Sequence, residues 1–562
     1  MAVRSNLALA AAALLVTASP AAAQHEHHTH EPAEQLGTVT FEVSCRPEAQ
    51  RQFTRGVAWL HSFEYEDAER AFAASAQADP QCAMAHWGVA MSQYHPLWAA
   101  PTPAEFEKGR QAIARAAAIG GETARERDYI TALSAFYASP DPAAHRQRTF
   151  AYESAMEGVH RRWPKDQEAA VFYALAMVAA GMIDDDATFA REKRAAAILD
   201  AVLAREPDHP GVAHYLIHSY DFPALAPLAL NAARRYAAIA PASAHAQHMP
   251  SHIFTRLGLW DEAVASNLQA EAAAKAYAVK HGLPGSWDER LHAMDYLAYA
   301  YLQEGADAKA DGVLQELWRI ERVDPANFKV AFAFGAIPAR IALERRRWDE
   351  AAALTLPDSA RKAVPWAQFP WAEAQIHFAR AVGAARGGNL ELARREVARL
   401  REIREGLKGA PGNYDWGLQV EIQRQVAEAW TEAAAGRTVA AVALMRAAAD
   451  LDDATEKHPV TPGAILPARE QLGELLLQTN RPAEALAAFE QSLERAPGRF
   501  NSLYGAATAA RGARDEAKAR RYYAELLTVS CKGDDARPEL AEARAFVPQA
   551  HGSCAPSQTA AR

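Results

Sequence analysis

Two pairs of histidines fix an interval that governs the rest of the chain. His214 and His218 stand four residues apart in HYLIH, His248 and His252 stand four apart in HMPSH, and the second pair follows the first by 34 residues. Pro207 and Pro241 keep the same spacing. A unit of that length is one helix, a turn and a second helix. Such a unit cannot bury its apolar face alone, so it must stack on neighbouring copies of itself. The interval therefore points to an all-α array.

Residues four apart lie on one face of a helix, so each pair projects one way from its own helix. Asp221 extends the first stripe, and His245, three residues before His248, extends the second. Packed helices lie about 8 to 10 Å apart, which allows imidazoles from adjacent first helices to converge on one ion or anionic ligand. A later helix repeats the theme. Counting back from Gly305 sets His292 level with His245, and Asp295 level with His248.

The 562 residues exceed what one compact core normally uses, and alanine is abundant while alternating Val/Ile/Thr stretches are scarce. Residues 1–23 read as a secretory signal: Arg4, an apolar run from Leu7 to Ala18, then Ala21 and Ala23. That run is too short to cross a bilayer, so the expectation is an exported protein, periplasmic or secreted, with no membrane insertion after signal removal. A formal charge of −9 and the lack of a basic face with interleaved aromatics disfavour nucleic acid. Export permits disulfides, and sequence proximity favours Cys45 with Cys82 and Cys531 with Cys554.

In chain order, residues 24–44 are expected to be a disordered histidine-rich tail, with His25, His27, His28 and His30 able to hold Cu(II), Zn(II) or Ni(II) loosely. An N-terminal array with the histidine-rich groove spans 45–320, degenerate hairpins span 321–465, and a C-terminal hairpin pair with a capping tail spans 466–562. The segment EKHPVTPGAILPARE reads as a structured interruption rather than a linker. WLHSFEYEDAERAFAASAQADP, RLGLWDEAVASN and LGELLLQTNRPAEALAAFEQSLERAP resemble the tetratricopeptide repeat. HYLIHSYD and HMPSHIFTRLG further resemble a group of secreted bacterial tetratricopeptide proteins of uncharacterised function.

The resemblance implies a right-handed superhelical solenoid of helical hairpins. It also places His214, His218 and Asp221, and then His245, His248 and His252, at positions that line the concave groove in that family. Pro250 fits poorly, because it falls inside the second stripe and should kink or start a helix there.

Three functions compete on these residues. The first is a divalent transition-metal site for Zn, Cu or Fe, built from His214, His218, His248 and His252 with His245, His292, Asp221 and Asp295 as further or supporting ligands. The second is a docking scaffold for a protein or peptide, in which the same groove, with Arg256, Tyr296 and Tyr299, holds a carboxylate. The third is a metal-dependent enzyme, for which no H-E-x-x-H, G-x-S-x-G or phosphate loop names a reaction.

Overall fold

The computed structural model describes residues 34–97, 100–184, 186–409, 414–534 and 536–548. Helices follow one another as antiparallel hairpins, beginning with Pro47–His61 against Tyr65–Ala78 and ending with Phe500–Gly512 against Glu516–Val529 and a last helix, Pro538–Phe546. Among the described residues, the all-α expectation holds apart from one two-residue parallel pairing, Ser286–Trp287 with Val323–Asp324.

The hairpins close-pack through small residues. Gly56 and Gly88, on successive first helices, flank the ring of Phe72 on the helix between them; a Cβ would lie 2.8 and 2.2 Å from that ring. Gly473 and Gly505 hold Phe489 in the same way, at 2.7 and 2.3 Å. Here glycine is required by close approach, since any side chain would force the helices apart. The two ends of the array thus use one packing rule, 417 residues apart by the phenylalanine positions Phe72 and Phe489.

From Gln35 the described residues form one compact unit. Its largest apolar cluster runs from Leu291 to Ala543 and passes 320 and 465 without a break. A smaller cluster that includes Ala213, Ile217, Ala246, Met249, Ile253 and Ala300 underlies the histidine helices, so their apolar faces turn toward it and leave the other faces for polar residues.

Two expectations need correction. Residues 34–44 are not a loose tail: Leu36 and Phe41 are buried, and the Phe41 ring packs against Phe53, Trp87 and Tyr129. An irregular segment carrying apolar residues can insert their side chains between helices, which the polar residues preceding it conceal in the sequence. The second concerns the groove. Residues 456–463 lie against Asp221 and Arg256 beside the histidines, and against Arg340 on the helix Phe328–Glu344, so the expected groove is covered there.

The histidines 25, 27, 28 and 30 and the signal segment lie outside the described residues. Cys45 and Cys82 form the expected disulfide. Cys531 is also disulfide-bonded, and its expected partner, Cys554, lies outside the described residues. Among the described residues, no helix is long and apolar enough to cross a membrane.

Candidate metal centre

Three successive first helices build the site. Pro210–Tyr220 carries His214 and His218; it starts on a proline, where a missing N–H costs nothing, and His209 caps it by accepting from the Val212 N–H at 3.3 Å. The second element is split as the proline requires, into Ala244–His248 and Pro250–Arg256. Met249, between them, keeps helical dihedrals of φ −54° and ψ −35°, so His245, His248 and His252 stay in one stripe despite the break. Asp288–Glu304 supplies His292.

The six imidazoles do not converge on a single point. They fall into two trios, His214/His218/His245 and His248/His252/His292, and within each trio the candidate ligand atoms all lie within 4.8 Å of one another. Each trio takes an i, i+4 pair from one hairpin and its third member from the next. His214 and His218 are thus brought together with His245, and His248 and His252 with His292, because His245 and His292 reach back across the helix interface. In the first trio, His214 Nε2 is 3.1 Å from His218 Nε2 and 3.2 Å from His245 Nε2. In the second, His248 Nε2 is 3.0 Å from His252 Nε2, and the His248 and His292 ring centroids are 4.0 Å apart.

The outer nitrogens are held by acceptors. His214 Nδ1–H donates to the His61 carbonyl at 2.7 Å. His248 Nδ1–H donates to Asn267 Oδ1 at 2.7 Å, an orientation fixed because Asn267 Nδ2 donates to the Ala263 carbonyl at 2.7 Å. His252 Nδ1–H donates to Asp221 Oδ2 at 3.0 Å. His245 Nδ1 faces Glu289, with Oε2 at 3.7 Å. A neutral imidazole has one N–H, so anchoring it at Nδ1 leaves Nε2 as a lone pair. His248 and His252 therefore point two lone pairs at each other across 3.0 Å.

No histidine of the six is more than 5% exposed. Burial holds His214, His218, His248 and His292 well below the usual imidazole range, and neighbouring imidazoles push the same way. For His252, burial outweighs the pull of Asp221 and draws it down to about 4. A proton is thus a poor occupant of the gap. Aromatic rings flank both trios: Phe63 lies 4.3 Å from His214 and 5.7 Å from His218, Tyr236 stacks 5.1 Å from His214, and Tyr296 lies 4.7 Å from His248 and 5.2 Å from His252, between centroids.

The remaining sequence candidates sort clearly. Asp221 supports rather than converges: besides His252 it meets Arg256 Nε at 2.8 Å and Lys457 Nζ at 2.9 Å. Burial alone would raise its carboxyl, but those two cations hold it well below the usual range. Arg256 is therefore a partner of Asp221, not a free groove contact. Asp295 is not brought to the histidines; it forms a buried ion pair with Arg340. Tyr299 accepts from Arg499 Nη1 at 2.9 Å and so belongs to a different network. Tyr296 does sit at the site, and its buried hydroxyl has no hydrogen-bond partner.

Several contributors escape sequence reasoning. Lys457, within EKHPVTPGAILPARE, closes the site from 236 residues away; only the non-linker character of that segment hinted at it. Phe63, Asn267 and Glu289 carry no motif. A third cluster, His61, Glu168 and His209, is also buried and compact. There the carboxylate is already saturated, with Oε2 2.9 Å from His61 Nε2 and Oε1 3.0 Å from His209 Nε2. Burial would raise the Glu168 carboxyl, yet the two imidazoles bring it down to about 2. His61 Nδ1 is in turn 3.0 Å from the Tyr215 hydroxyl. This cluster is a complete hydrogen-bond network whose His61 carbonyl orients His214.

No family model matches the sequence, and no curated protein matches it. Among solved structures the fold is similar to the human IFIT1 dimer with m7Gppp-AAAA, at 12% identity and a TM-score of 0.36 over 84% of this chain and 95% of that one. Yeast Tom70 is similar at 12% identity and a TM-score of 0.30, over 84% of this chain and 96% of that one. The Naa15/Naa10 complex bound to HypK-THB is similar at 14% identity and a TM-score of 0.26, over 89% and 85%.

Proposed function

We propose that the protein binds transition-metal ions in its buried histidine chamber, with Zn(II), Cu(II) and Fe(II) as the ions suited to an all-imidazole donor set. One observation carries the reading. His248 and His252 are both anchored at Nδ1 and face each other through Nε2 at 3.0 Å, an arrangement that repels unless a cation lies between them. Metal–imidazole bonds of about 2.0 to 2.1 Å place tetrahedral ligand atoms about 3.3 Å apart, so the separations of 3.0 to 3.2 Å suit a shared ion. The acceptors on Nδ1 are the supporting contacts that metal-binding histidines ordinarily have.

Helical-hairpin arrays commonly present surfaces to protein partners, and the outer surface of this one is open to such use. The chamber itself is closed by residues 456–463, so burial favours an ion over a peptide at the histidines. An exported location remains part of the proposal, and the Cys45–Cys82 disulfide supports an oxidising compartment.

The test uses the full chain with His25, His27, His28 and His30 replaced by serine, so that the tail contributes no metal. After exposure to Zn(II), Cu(II) or Fe(II) and removal of loose ions with a weak chelator, elemental analysis should find retained metal. His248→Ala with His252→Ala should lower it. Protein that retains none of the three ions would sink the reading.

A further inference from the structure

Resting on the metal-binding reading, we propose that the two histidine trios form one dinuclear centre, two ions in adjacent three-histidine sites that share a small exogenous anion. The trios are neighbours rather than separate sites. His218 and His252 ring centroids lie 6.1 Å apart, and those of His245 and His248 lie 6.3 Å apart, so members of opposite trios are in ring contact on two sides.

The duplication is written into the hairpin register. His245 precedes Gly258 by the same 13 residues that separate His292 from Gly305, and both glycines have positive φ, +67° and +68°, where their hairpins turn. Each trio is therefore the same construction: a pair from one hairpin and the residue at this position from the next. The series stops on both sides. The position 34 residues before His245 is Gly211, where a Cβ would lie 2.5 Å from His61 Nδ1. On the other side, the positions level with His248 and His252 are Asp295 and Tyr299, which are committed to Arg340 and Arg499. Two sites, and not a longer ladder, are what this register allows.

Charge supplies the ligand class. An imidazole ligand brings no negative charge, and the acids nearest the six donors offset little of what two ions would add: Asp221 is paired with Arg256 and Lys457, Asp288 and Glu289 share the single cation Lys329, and Glu64 accepts from the Ser243 hydroxyl and the His245 N–H. Two divalent ions would bring four positive charges into a chamber closed to bulk water. Burying that charge without counter-ions is prohibitive, so small anions of the hydroxide or azide kind must enter with the metal. Three protein ligands per ion leave a coordination position for one.

The experiment is a Cu(II) titration of the full chain carrying serine at the four tail histidines, followed by elemental analysis, electron paramagnetic resonance and addition of azide as the probe anion. Two copper ions per chain are expected, with a spin signal well below the copper content because the ions couple, and with a change in the visible spectrum on adding azide. His292→Asn should keep one ion and restore a full mononuclear signal. One ion in the unsubstituted chain would overturn the pair while leaving metal binding intact. So would two ions with a spin signal equal to the copper content. Retention of no copper would likewise overturn the pair, and retention of none of Cu(II), Zn(II) and Fe(II) would overturn the reading on which the pair rests.

Discussion

Two buried polar clusters sit on first helices of the same array, and they are finished differently. Around Arg499 every strong donor meets an acceptor: its guanidinium reaches Glu470 at 3.0 Å, Glu344 at 2.7 Å and the Tyr299 hydroxyl at 2.9 Å, and Asn501 Nδ2 donates to Glu344 at 2.8 Å. In the histidine chamber, lone pairs face lone pairs. The first is an ion network complete within the protein. The second is completed only by a cation from outside. Burial alone does not distinguish a structural polar cluster from a binding site; whether donors and acceptors balance does.

The largest effect should come from breaking the complete network. Arg499→Met strands Glu344 and Glu470 without their cation and should cost about 3 to 5 kcal/mol in urea unfolding, with metal retention per folded molecule unchanged. A loss of metal equal to that of the histidine variants would mean the two clusters are not independent.

Next is the response of metal-free protein to acid. His252 has a folded value of about 4, below the ordinary 6.5, so the unfolded chain binds the proton more readily. Stability should therefore be full above about pH 6.5 and fall by up to about 3 kcal/mol as pH drops toward 4. Urea midpoints measured across that window check the sign; a chamber that is stabilised by acid would contradict the neutral imidazoles described here.

A smaller effect is expected from the support of the ligands. Asn267→Ala removes the acceptor on His248 Nδ1 and should weaken metal binding about 10- to 100-fold, by competition with a chelator. Lys457→Met, which leaves Asp221 its contact to His252, should weaken it less than Asn267→Ala does. An unchanged affinity in both variants would show that the contacts outside the trios do not hold the rings.

The array and the histidine helices were legible because a 34-residue interval and i, i+4 spacing are local properties of the chain. The Cys45–Cys82 disulfide was legible for the same reason. The split into trios was not: counting back from Gly305 set His292 level with His245, but that register does not say that each of them reaches back to the pair on the preceding hairpin. Asp295 misled because its register matched a ligand position while a distant residue, Arg340, supplies the partner that takes it. Burial of the groove was the least legible feature. It depends on residues 456–463 packing against Asp221 and Arg256, 236 and 200 positions earlier, and nothing in either stretch alone encodes the other.

The most direct test is a crystal of the full chain soaked with Zn(II) and measured at the zinc absorption edge. Anomalous difference peaks are expected about 2.0 to 2.1 Å from Nε2 of His248 and His252 and from Nε2 of His214, His218 and His245. A well-soaked crystal with zinc at surface residues and none at these nitrogens would contradict the central claim.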